Sequence, residues 1–201
     1  MSAVNIPPPL LGLTPDALKR WTVQDYHRMA DLGLLDPQER TELLGGQITL
    51  MAAKGTAHVT ALRLLATLLD NGLTDQPVFV ATQDPIQLDD FSEPEPDLVI
   101  IQGTVLDYAQ QHPRPEVVAL VVEVADSTLK QDRDLKDKLY AQAGIQDYWV
   151  LDVNNRQLHV FRDPTATGYG RHLILSEPNQ VTPLVFPHLT LDLTAMLPPV
   201  N

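Results

Sequence analysis

Apolar residues along this chain follow two rhythms, and charged residues stand where a rhythm is interrupted. From His58 to Leu69, the residues Leu62, Leu65, Leu68 and Leu69 recur at helical spacing. Asn71-Gly72 then supplies a helix stop. Leu129 to Ala143 reads as a second helix, ended by Gly144. Near the start, Thr22 is an N-cap with Asp25 as its capping-box partner, opening a short helix to about Asp31.

Strand signals fill the intervals. Glu39 to Ala52 predicts two short strands around Gly45-Gly46, a two-residue hairpin signal. Val78 to Ala81 predicts a short strand, and Pro85 to Leu88 another at a sheet edge. Ser92-Glu93-Pro94-Glu95-Pro96-Asp97 is not helix, because each proline holds its predecessor extended. It feeds Leu98-Val99-Ile100-Ile101, a buried strand. Val117 to Val124 is the most apolar stretch. Its near-continuous Val and Leu predict a central strand covered on both faces. Tyr148 to Asp152, a turn at Asn154-Asn155, Leu158 to Arg162 and Leu173 to Leu175 add further strands, and Val181–Val185 and Leu189–Leu197 complete the chain. No internal repeat is present. The order predicts one α/β domain over residues 21–197, a mixed central β-sheet flanked by helices with extra β-hairpins. A proline-rich arm, residues 1–20, precedes it.

Composition narrows the function. Among 201 residues, 14 Lys plus Arg against 26 Asp plus Glu give a net charge of −12. That excludes a protein that coats nucleic acid through a broad basic surface, and an interfacial membrane helix with a cationic face. There are no cysteines, so disulfides, thiolate zinc sites and a cysteine nucleophile are excluded. The first residues lack a signal peptide's basic segment, and no apolar run approaches the roughly 18 residues of a membrane span. The expectation is a soluble, cytoplasmic protein that uses no membrane.

Two acids stand where acids are expensive. Glu123 interrupts the apolar run Val117–Val124, where a lone carboxylate costs several kcal/mol unless paired or neutralised. Asp97 opens the other buried strand. If the two strands are neighbours, both carboxylates can enter one cleft. With a backbone carbonyl, that of Val124, they would suit Mg²⁺, which prefers few protein oxygens and several waters. The simpler alternative is that Glu123 ends its strand at the rim and pairs with Lys or Arg.

Lys136 is the third candidate. On a helix with roughly 100° per residue, Leu129, Leu135, Leu139, Tyr140 and Ala143 average to one face. Lys136 falls roughly 25° from its centre and Lys138 roughly 135° away. A lysine aimed at the core beside two acids is a candidate electrostatic catalyst. The alternative is a solvated Asp132–Lys136 pair at i,i+4.

Taken together, Glu42-Leu43-Leu44-Gly45-Gly46-Gln47-Ile48, Ser92 to Leu98, Val121-Val122-Glu123-Val124, and Lys136 followed by Tyr140-Ala141-Gln142-Ala143-Gly144-Ile145-Gln146-Asp147-Tyr148-Trp149 resemble the Uma-type family. These are predicted endonucleases of the PD-(D/E)XK superfamily, and the resemblance spans about residues 21 to 190. It implies a restriction-endonuclease-like core and metal-dependent cleavage of DNA. Asp97 and Glu123 would bind Mg²⁺, with Mn²⁺ as substitute. The superfamily's lysine two residues after the Glu is here Ala125, and its place is taken by Lys136. Glu42 matches a family acid that binds metal directly or through water. Gly45 and Gln47 stand where the family usually carries acids, which weighs against a second metal.

Other residues carry weaker signals. His58, at a helix start, and Asp84, before Pro85, are cleft candidates, though a helix-end role for the first and a turn for the second explain them as well. Asp126-Ser127 reads as a cap for the Lys136 helix. The six histidines show no local metal-ligand spacing. Trp21 and Trp149 read as core or interface. Two functions follow: a Mg²⁺-dependent DNA endonuclease, or a non-catalytic relative that keeps the fold as a homodimeric interaction module. A homodimer is expected either way, because two-fold symmetry suits paired cuts and the arm could clasp a partner.

Overall fold

A six-stranded sheet with helices on both faces positions the acids. The computed structural model describes residues 18–126 and 135–199. Most of the proline-rich arm therefore lies outside the described residues, as do Ser127 and Asp132. In chain order the elements are α1 (Val23–Asp31), β1 (Thr41–Leu44), β2 (Gln47–Leu50), α2 (Thr56–Gly72), β3 (Val78–Ala81), β4 (Leu98–Gln102), β5 (Val118–Ala125), α3 (Asp137–Gln142), β6 (Asp147–Asp152), β7 (Gln157–Thr165), β8 (Gly168–Ser176), β9 (Gln180–Val181), β10 (Leu191–Asp192) and α4 (Leu193–Met196).

The main sheet runs β3-β4-β5-β6-β7-β8. β5 and β6 are parallel, and the other neighbouring pairs are antiparallel, so the sheet is mixed. All eight residues of β5 are buried, as its unbroken apolar run requires. Leu120, Val122 and Val124 pack with Leu62, Leu65 and Leu69 of α2. Val121 and Ala125 face the other way, against Tyr140, Tyr148 and Phe161. Burying each such leucine stabilises the fold by about 1.5–3 kcal/mol.

Local chemistry explains the smaller elements. Thr22 Oγ1 accepts from Asp25 N at 3.0 Å while Thr22 N donates to Asp25 Oδ2 at 3.1 Å, closing the expected capping box on α1. β1 and β2 turn at Gly45 (φ 57°) and Gly46 (φ 84°), left-handed at both positions as a two-residue hairpin requires. A Cβ on Gly46 would lie 2.7 Å from Arg20 Cβ, so the chain entering α1 rests directly on this turn.

Two expectations need correction. Pro85–Leu88 joins no strand. Ile86 N donates to Pro94 O at 3.0 Å and Leu88 N to Ser92 O at 2.9 Å. Pro85, Pro94 and Pro96 supply no N–H groups, so no ladder can grow there. β9 is only two residues long and pairs with β10, and Pro183 follows it. Leu135, assigned to the apolar face of the Lys136 helix, is 43% exposed. It lies in a π-type turn over 135–136 that leads into α3.

Candidate active site

β4 and β5 are antiparallel neighbours, and Leu98 pairs with Val122. One step beyond that pair, Asp97 and Glu123 come opposite each other. Glu123 alternates in phase with Val121 and Ala125, and Asp97 with Val99 and Ile101. Those four pack together on the α3 side of the sheet, so both carboxylates leave on that side. Asp97 N donates to Glu123 Oε2 at 3.3 Å, and Val124 N donates to Asp97 Oδ2 at 2.9 Å. Val124 thus meets Asp97 through its amide.

Lys136 enters from the chain leading into α3 and is 4% exposed. Its Nζ lies 3.0 Å from Glu123 Oε1 and 3.0 Å from Glu42 Oε2. The angular expectation of an inward Lys136 and an outward Lys138 matches this burial. Tyr140, one turn later, donates its hydroxyl to Glu123 Oε1 at 3.0 Å. Burial first, then the Glu123 charge, push the Tyr140 phenol well above its ordinary range, so it stays a donor. Glu42 comes from β1, where Leu43 bridges Glu93 and ties the hairpin to the Ser92–Asp97 segment. Glu95 N donates to Glu42 Oε2 at 3.2 Å.

His58, near the start of α2, places Nε2 3.0 Å from Asp97 Oδ1. Gln83 Nε2 donates to the same oxygen at 3.3 Å. Burial opposes ionisation of Asp97. The hydrogen bond and charge of His58, the Val124 amide and the Lys54 ammonium outweigh it and hold the carboxyl below its usual value. Asp97 is therefore an anion at neutral pH. Asp84 is not brought to the cleft: it is exposed and faces none of these groups. Gly45 and Gln47 do not line the cleft either, and Gln47 Nε2 donates to Lys19 O at 3.2 Å. Asp126, expected as a helix cap, lines the cleft.

The cleft these residues line is small, about 50 Å³. It also holds two residues that sequence reasoning passed over. Lys54 Nζ is buried, makes no hydrogen bond among the described residues and lies 3.9 Å from Asp97 Oδ1. Desolvation lowers its pKa, partly opposed by Asp97. Glu95 pairs with Arg40, and burial raises its carboxyl pKa in spite of that partner. Lys54 sits in a loop with no periodicity to orient it. Glu95 lies within the Pro-Glu-Pro-Asp motif, and its alternation with Asp97 was the available signal.

The donor set is chemically suited to a hard divalent cation: several carboxylates around one small polar space, with room for water. Lys136 and Lys54 place two ammonium groups among these acids, and such groups also suit phosphate.

This six-stranded mixed sheet with its flanking helices is the arrangement of a nuclease-type fold. Residues 23–194 match the Uma2 family model, described as "Putative restriction endonuclease", and the chain belongs to that family. Among solved structures it is similar to the crystal structure of "a putative nuclease belonging to DUF820" from Anabaena variabilis. The TM-score is 0.67 at 14% identity, over 87% of this chain and 96% of that one. The expected restriction-endonuclease-like fold is therefore the observed one. A search of curated proteins gave no match. No described helix is long and apolar enough to cross a membrane.

Proposed function

We propose that this chain is a Mg²⁺-dependent endonuclease that hydrolyses phosphodiester bonds in DNA, with Mn²⁺ able to substitute. The observation that carries the reading is the convergence of Asp97, Glu123 and Lys136 from adjacent strands and the next helix. Asp97 and Glu123 would hold the cation, aided by Glu42. When bound, Mg²⁺ supplies charge neutralisation at the scissile phosphate and a more acidic water.

The chain's own residues do the rest. His58 and the Val124 amide keep Asp97 ionised and oriented. Tyr140 and the Asp97 amide fix the Glu123 carboxylate. Lys136 stabilises charge that develops on the phosphate, which is worth most in a site shielded from bulk water. Lys54 offers a second ammonium to phosphate oxygens. No protein nucleophile is required. These local cations explain how an acidic protein can hold a polyanion through few contacts, which gives a shallow salt dependence. A homodimer suits paired cuts, and the edge strand β8 exposes Leu173 and Ile174, a surface apt for a second copy.

One observation favours a second reading. Lys136 already neutralises Glu42 and Glu123, as a structural ion cluster in a non-catalytic interaction module would. Plasmid cleavage in Mg²⁺, Mn²⁺ or chelator separates the two. The endonuclease reading expects divalent-dependent nicking that disappears in Asp97→Ala and Lys136→Ala. Nicking that survives both substitutions, or none by folded wild type, contradicts it.

A further inference from the structure

Along the Ser92–Asp97 segment but outside the acidic cleft, three residues that sequence spacing could not connect come together. Glu93 is fixed by its backbone: Glu93 N donates to Leu43 O at 2.8 Å, and Glu93 O accepts from Leu43 N at 3.3 Å. Its side chain is 3% exposed, with Oε1 2.6 Å from His27 Nε2 on α1. His112 stands just before Pro113, whose carbonyl accepts Gln87 N at 2.9 Å. The His27 and His112 rings are 6.1 Å apart and inclined at 69°. One ligand atom from each of the three residues lies within 4.8 Å of the other two.

A second observation points to a ligand. Glu93 Oε2 is buried and has no hydrogen-bond partner among the described residues. A carboxyl oxygen withdrawn from water without a hydrogen-bond partner is a standing penalty. A cation seated between the two histidines and this carboxylate would remove it.

We propose that His27, Glu93 and His112 form a Zn²⁺ site separate from the acidic cleft. Two imidazoles and one carboxylate are a borderline-soft donor set that suits zinc, whereas Mg²⁺ prefers oxygen alone. Zinc bonds of about 2.0–2.2 Å place its ligands about 3.5 Å apart, so side-chain rotation from the present spacing is sufficient. The His27–Glu93 hydrogen bond is the arrangement a proton supports; the metal takes the proton's place. His27 and His112 line an open cleft of about 890 Å³. Arg28, Tyr108 and Gln110 border it. The fourth coordination position therefore faces the cleft and is open to water or a small anionic ligand. The metal would also tie α1 and the His112 loop to the segment that delivers Asp97.

The test is Zn²⁺ titration of the chelator-stripped full chain against a chromophoric zinc indicator, with circular dichroism of each metal-free variant. Wild type is expected to bind one equivalent at this site. His27→Ala and His112→Ala should each weaken it by more than about 100-fold, beyond the loss seen when only an outer partner of a ligand is removed. Asp97→Asn should leave it unchanged. The His27 side chain is 47% exposed, so His27→Ala keeps the fold even where a deeper substitution does not. Absence of Zn²⁺ binding, binding unaffected by His27→Ala, or binding lost in Asp97→Asn would overturn the proposal.

Discussion

The Lys136 ammonium lies 3.0 Å from Glu123 Oε1, joining the entry to α3 to the middle of the central sheet. Both side chains are at most 5% exposed. Neither charge could be buried alone, and removing Lys136 takes the ammonium partner from both Glu123 and Glu42. Lys136→Ala should destabilise the protein by about 3–5 kcal/mol in urea unfolding. Added Mg²⁺ should recover part of that loss, because a cation then neutralises Glu42 and Glu123 again. Unchanged stability in Lys136→Ala would remove the buried cluster from the account.

Tyr140→Phe tests the hydroxyl alone. It deletes the bond to Glu123 Oε1 and preserves the ring packing against Tyr148. The expected loss is about 1 kcal/mol of stability. Cleavage should also fall, because Glu123 loses one of the groups that aim it. An effect on stability without one on rate would reduce Tyr140 to a packing residue.

Lys54 gives stability a pH signature. Desolvation lowers its folded pKa below the 10.5 of an unfolded lysine. Between those two values the unfolded chain binds more protons, so stability rises with pH there. Lys54→Met should flatten that rise in unfolding curves across the alkaline range. An identical slope in the variant would show that Lys54 is not the group responsible.

Asp147 separates folding from chemistry. Its carboxylate is fully buried and accepts from Trp149 Nε1 at 2.9 Å, Arg162 Nε at 2.8 Å and Leu184 N at 2.9 Å. Burial raises its pKa against those donors. Asp147→Ala should cost about 3–5 kcal/mol, as loss of one buried charge partner does. Thermal unfolding measures this. Residual folded protein should cleave at the normal rate, because Asp147 does not line the cleft.

Much of this was legible in the sequence because the strongest signals are local. The capping box at Thr22, the Gly45-Gly46 turn and the fully apolar β5 each depend on a few adjacent residues. Glu123 stood out because a carboxylate in such a strand demands a partner, and Lys136 because helical phase turned it inward. Lys54 and the His27–Glu93–His112 group were not legible. Their partners come from distant segments, and loops carry no period that orients a side chain. Pro85–Leu88 misled because its apolar pattern suits a strand, while the prolines of its neighbour withhold the donors a ladder needs.

The acidic balance also reads differently with the cleft in view. Glu42, Glu95, Asp97, Glu123 and Asp126 all border one small space. Part of the net −12 is therefore concentrated around one small polar space.

The most direct measurement of the central claim is single-turnover hydrolysis of end-labelled duplex DNA in Mg²⁺, comparing wild type with Asp97→Asn and Glu123→Gln. Both substitutions keep side-chain shape and remove one charge. The account predicts cleavage by wild type and a loss of at least about 100-fold in each variant, on the scale of removing one electrostatic group from a preorganised site. Equal rates in all three proteins, or no cleavage by folded wild type, would contradict it.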